Sequence, residues 1–131
     1  MTMVIVAVSV LAIAGCDATN SANQLTDLTE TSWKVEGIPK QVTATMSFGA
    51  DGRVTGSAGC NRYFGTYKTS GQTIEISGIG STRKMCPDVE MSVETELLKS
   101  LAVVNRWQVT SDKLKLTGPV DTTLVRLRRV K

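Results

Sequence analysis

From Thr31 onward the chain alternates apolar and polar residues in short runs broken by turn residues. Trp33 and Val35 fall at period two within Thr31–Ile38, which predicts a first strand stopped by Pro39, a residue with no backbone N–H. Val42 to Phe48 sets Val42, Ala44, Met46 and Phe48 against Thr43, Thr45 and Ser47, the pattern of a half-buried strand. Gly49-Ala50-Asp51-Gly52 contains the Asp-Gly hairpin signal, and Arg53 to Ala58 reads as the returning strand. Val54, Gly56 and Ala58 share a face there, and their small size predicts close approach of another element. Two further hairpins follow: Phe64–Thr69 with Gln72–Ile76 about Ser70-Gly71, and Arg106–Thr110 with Lys113–Thr117 about Ser111-Asp112. Thr122 to Val130 is a last strand, with Val125 and Leu127 opposing Arg126 and Arg128.

One stretch changes period. Pro87 to about Val103 opens with a proline suited to the first helical position, and Asp88 and Glu90 place negative charge in the first turn. Val93, Leu97, Leu98 and Leu101 form an apolar stripe, and Lys99 sits near the C-terminal end. The expected fold is α+β: a mostly antiparallel, strongly curved sheet with one main helix packed on its side or end. Glu90 and Glu94 lie four apart on that helix and read as solvated surface.

The N-terminal part follows different rules. Met3 to Ala14 is apolar apart from Ser9, too short to span a membrane and of the length of a secretory core segment. It ends in Ile13-Ala14-Gly15-Cys16, which resembles a bacterial lipobox. Small residues admit the backbone to a peptidase, and the Cys16 thiol takes a diacylglycerol group. The cationic stretch usual before such a segment is missing from Met1-Thr2-Met3. Residues 17–30 are polar and small, without period, and read as a flexible tether of roughly 20 Å root-mean-square span, ordered at its end near Leu28. The division is therefore 1–16 signal peptide, 17–30 tether, 31–131 domain. It places the protein in a bacterial cell envelope, lipid-anchored on the periplasmic side. Asp17, directly after the lipid-bearing residue, hints at inner-membrane retention.

Composition narrows the chemistry. The chain of 131 residues has no His, which excludes His general bases, triads and His metal ligands. Fifteen Lys plus Arg against twelve Asp plus Glu give a net charge of +3, and aromatics make up 5%, too few for a stacking surface, so nucleic acid is not an expected partner. No cofactor and no metal site is expected.

Gly59-Cys60-Asn61 with Gly65, Tyr67 and Gly71 resembles the G-C-N-x-x-x-G-x-Y-x-x-x-G signature of the META domain family, the HslJ-like envelope lipoproteins. Ser81-Thr82-Arg83-Lys84-Met85-Cys86 is similar to the family's S-T-x-x-M-C segment. Trp33, Phe48, Gly52 and Gly56 precede in family order; Glu94, Leu97, Leu101, Trp107 and Leu114-x-Leu116 follow. The resemblance covers about residues 31 to 130. It implies a small α+β domain on an envelope lipoprotein, in a family linked with stress tolerance, motility and antibiotic resistance. It brings no common enzymatic activity or ligand.

With Cys16 lipidated, Cys60 and Cys86 remain, an even pair suggesting a disulfide in an exported domain; two buried free thiols are the alternative. Its loop of about 26 residues would stabilise the domain by roughly 3.5 kcal/mol. The expected binding surface is Asn61, Arg62 and Tyr63 with Arg83 and Lys84, a polar, cationic set with one aromatic, on two segments that interrupt the strand pattern. A tight structural turn at Gly59-Cys60-Asn61 is the competing explanation. Arg126, Arg128, Arg129 and Lys131 read as a charged edge strand, or as a contact for anionic head groups. Ser81 and Lys84 fit S-x-x-K, but Ser81 does not open a helix, so a small serine hydrolase is only the alternative. The expected function is a non-enzymatic binding or accessory protein in envelope stress tolerance. Its expected partners are the membrane, through the lipid, and an envelope protein or peptide. A secretion-assembly pilot carrying a peptide in a sheet groove is a further alternative.

Overall fold

A computed structural model describes residues 27–130, so the export segment, Cys16 and most of the tether lie outside the described residues. The elements are β1 (Thr31–Val35), β2 (Thr45–Phe48), β3 (Arg53–Ser57), β4 (Arg62–Ser70), β5 (Thr73–Ser81), α1 (Asp88–Leu101), β6 (Arg106–Thr110), β7 (Lys113–Thr117) and β8 (Thr123–Arg129). Each strand pairs antiparallel with the next, and β8 returns to pair with β1, so the curved sheet closes into a barrel. The charged-edge explanation for β8 therefore fails: β7 lies on one side of it and β1 on the other.

Alternation decides what fills the barrel. Trp33, Met46, Phe48, Val54, Tyr63, Leu114, Leu116 and Leu127 all point inward and are essentially inaccessible. The Phe48 and Tyr67 rings meet edge to face, with centroids 4.9 Å apart. Gly56 belongs to this inner face, as its sequence neighbours predict. A Cβ there would lie 2.0 Å from the Thr45 carbonyl oxygen, so only glycine lets β2 and β3 approach this closely. The space is used by Tyr63, whose hydroxyl donates to the same Thr45 oxygen at 2.7 Å.

β6 and β7 have the bounds expected from their pattern, whereas β4 and β5 are longer. The register slips between Phe64 and Thr66, and Gly78 takes a positive φ of 62° opposite the slip. This bulge breaks the two-residue period, which is why the sequence pattern ends at Ile76 while the strand continues to Ser81. β2 starts later than expected, at Thr45. Val42 and Ala44 are buried as the alternation predicts, but they precede the ladder. Packing also begins earlier than residue 31. Leu28 is fully buried in the core, and the Glu30 N–H donates to the Phe48 carbonyl at 2.8 Å.

α1 crosses the barrel end where β1 stops and β8 starts. Leu97 and Leu101 enter the core, and the helix stripe is the one its sequence predicts.

Candidate functional site

The two segments expected to form a surface do meet, held by a covalent bond. Cys60 and Cys86 are joined as a disulfide with Cα atoms 5.8 Å apart, tying the β3–β4 turn to the entrance of α1. Beside it, Asn61 is 2% exposed, with every polar atom of its side chain engaged. Its Oδ1 accepts from the Lys84 N–H at 2.6 Å and the Thr82 hydroxyl at 3.0 Å. Its Nδ2 donates to the Lys84 carbonyl at 3.1 Å and to Glu94 Oε2 at 3.0 Å. The Asn61 backbone N–H donates to Glu94 Oε1 at 2.7 Å. Asn61 thus mimics a strand partner for the irregular segment after β5 and clips it to both turn and helix.

Tyr63 is 1% exposed, its ring inside the barrel, where burial pushes its phenol far above the ordinary value. Arg62, Arg83 and Lys84 are exposed. Of the five residues expected to bind, two are therefore spent on the fold and three present cationic side chains around the clip. Ser81 is the last residue of β5, paired with Tyr63, and the Lys84 backbone is fixed by Asn61.

Glu94 corrects the expectation of a solvated helix face, because it is buried and accepts both Asn61 donors. The signal was present: Glu94 stands three and seven residues before Leu97 and Leu101, on the apolar stripe rather than opposite it.

A second feature has no motif of its own along the chain. Between α1, the β1–β2 connection and the start of β8 lies an open cleft of about 690 Å³. Val35, Leu97 and Val125 form its deepest part; Ile38 and Pro39 line one side, Val89 and Val93 the helix side, and Leu124 the strand side. Glu36, Glu96 and Arg126 are the charged residues lining it. Glu36 is occupied: Lys113 Nζ lies 2.8 and 2.9 Å from its two oxygens and Arg128 Nε 2.9 Å from one. The hydrogen bond from Lys113 holds the Glu36 carboxyl below its usual value, with Arg128 adding to the effect. Among the described residues no trio of Cys, Asp and Glu stands close enough to hold a metal ion. No helix among them is long and apolar enough to cross a membrane.

The fold and its clip define a class: a small antiparallel barrel, capped at one end by a helix that a disulfide staples to the β3–β4 turn. The META domain family model matches residues 26–131, and the chain belongs to the META domain family. Its start at residue 26 agrees with the burial of Leu28. The chain is similar in structure to a protein from Burkholderia xenovorans solved by NMR. The TM-score is 0.68 at 22% identity, covering 79% of this chain and 84% of that one. It is also similar to a DUF4847 family protein from Bacteroides vulgatus solved by crystallography, with a TM-score of 0.59 at 19% identity, covering 77% and 93%. At these identities the likeness is one of fold. No curated protein sequence matches the chain.

Proposed function

We propose that this META domain protein is a lipid-anchored, non-enzymatic binding protein of the bacterial envelope, acting as an accessory in stress tolerance. Its cleft beside α1 would receive an apolar, extended segment of an envelope protein. The cleft is the observation that carries this reading. Its volume is in the range of pockets that bury a ligand or a short segment, and its deepest part is made of aliphatic side chains. The same groove between sheet and helix favours one specific form, a secretion-assembly pilot that holds a partner peptide. Anchoring is supported by Ile13-Ala14-Gly15-Cys16 closing an apolar segment. A hydrolase using Ser81 and Lys84 has less support, since Ser81 ends a strand instead of opening a helix.

The test is a pair of variants in a deletion strain under envelope stress. Cys16→Ser should leave the membrane pellet or stay unprocessed. Ser92→Trp places an indole into the cleft from an exposed helix position. It should keep its melting temperature and membrane location yet fail to restore tolerance. Full restoration by the folded Ser92→Trp protein would remove the cleft as the binding site.

A further inference from the structure

The outward positions of β7, β8 and β1 carry an unusual charge pattern. Lys113 stands directly opposite Arg128 and Lys115 directly opposite Arg126 across the β7–β8 ladder, and Lys34 opposes Arg128 across β8–β1. All five are at least partly exposed on the outer wall. Like charges facing each other across a ladder destabilise a sheet. Glu36 offsets this for Lys113 and Arg128. Among the described residues, no carboxylate forms an ion pair with Lys115, Arg126 or Lys34. The neighbouring wall of β2 and β3 shows Thr45, Ser47, Thr55 and Ser57 instead. Arg129 is not part of the pattern: its guanidinium lies 5.8 Å from the centre of the Trp33 ring.

Protection of an exposed strand edge would be the ordinary explanation of so many cations, and a closed barrel has no such edge at β8. The wall also has a shape. A depression of about 310 Å³ is lined by Gln108 and Thr110 of β6, Lys113 and Lys115 of β7 and Arg126 of β8, with Glu36 also on its lining. Gln108 faces Lys115 and Thr110 faces Lys113 in register, so neutral donors stand beside the cations.

We propose that this wall is a second membrane contact, in which Lys115 and Arg126, with Gln108 beside them, bind the phosphate of an anionic phospholipid head group. Phosphate is favoured over an acidic protein segment by what the wall lacks. Protein interfaces centre on exposed aromatic or large apolar anchors. The exposed large hydrophobics of the described chain are Phe64, Met85, Val89, Val103, Val120 and Val130, none of them on the lining of this depression. The contact does not use the lipid at Cys16; it shares Glu36 and Arg126 with the lining of the cleft beside α1, and its test does not depend on what that cleft binds.

The test uses the chain from Asp17 onward, which keeps every strand, the helix and the disulfide and carries no lipid. Sedimentation with vesicles of phosphatidylcholine mixed with phosphatidylglycerol should pull the protein down, and vesicles of phosphatidylcholine alone should not. Each cation near a charged surface adds about 1 kcal/mol, so Lys115→Gln with Arg126→Gln should weaken the partition about 30-fold. Arg53→Gln with Lys68→Gln, on other strands, should leave it within about twofold. An NMR titration with inorganic phosphate is the second arm. Saturable shifts at Gln108 and Lys115 without vesicle binding would assign the site to a soluble phosphate and overturn the membrane proposal. Equal sedimentation of the Lys115/Arg126 variant and wild type would overturn it as well.

Discussion

Replacing Asn61 by alanine tests whether the family signature is a structural clip. The substitution removes four side-chain hydrogen bonds, to the Lys84 N–H and carbonyl, the Thr82 hydroxyl and Glu94. Neutral bonds contribute about 1 kcal/mol each and one to a carboxylate about 2, a gross loss of about 5 kcal/mol. Thr82 and Lys84 are exposed and recover water, so their share shrinks. Glu94 cannot do so: it stays buried with only the Asn61 backbone N–H left. A net loss of about 3 kcal/mol is expected, a large part of the ~5–15 kcal/mol typical of a domain. For a chain of this size that lowers the melting temperature by about 15 °C. Urea unfolding followed by tryptophan fluorescence measures it, with the exposed Arg62→Ala as a control expected within about 0.5 kcal/mol. A loss below about 1 kcal/mol for Asn61→Ala would refute the clip and return the Asn61 side chain to the pool of recognition groups.

Gly56→Ala should cost about 3 kcal/mol or prevent folding, because the new methyl would overlap the Thr45 carbonyl; a near-neutral melting temperature would contradict this packing. Cys60→Ala with Cys86→Ala should lower stability by about 3.5 kcal/mol in urea titrations, and wild type under reducing conditions should match it. Burial raises the Tyr63 phenol, so its contribution is intact below about pH 10, where the unfolded phenol ionises, and is lost as pH climbs from there toward the folded value. Tyr63→Phe should lose about 1 kcal/mol at neutral pH, with the Thr45 bond, yet fall less steeply in alkali, read by unfolding at a series of pH values. Lys115→Glu puts a carboxylate opposite Arg126 and should raise stability by about 0.5 kcal/mol in calorimetry; a loss would mean that the facing cations do not repel.

Strand and helix positions were legible because each is a local repeat: the alternation from Val42 to Phe48 and the stripe from Val93 to Leu101 need no partner to be seen. What escaped depends on residues far apart in the chain. Tyr63 stands among the expected binding residues because β4 keeps its two-residue period through Tyr63, Gly65 and Tyr67, and a glycine at the middle inward position hides that alternation. Glu94 was read by its charge, while its burial depends on donors 33 residues away. Barrel closure makes β8 an interior strand, and nothing in Thr123–Arg129 alone announces β1 as its neighbour. The cleft belongs to three separate elements and so has no sequence pattern of its own.

Closure through the first and last strands also fixes when folding can finish. Trp33 pairs with Arg129, so the two halves of that seam lie 129 − 33 = 96 residues apart. Hairpins such as β4–β5 can form as soon as they emerge, but the ring waits for the final strand, and bringing such distant segments together is slow. Until then β1 has its β8-facing edge open, and a chain truncated before Val125 would keep β7 open as well. Such edges recruit other chains. A nascent copy is therefore most vulnerable to aggregation in the interval before its last strand arrives.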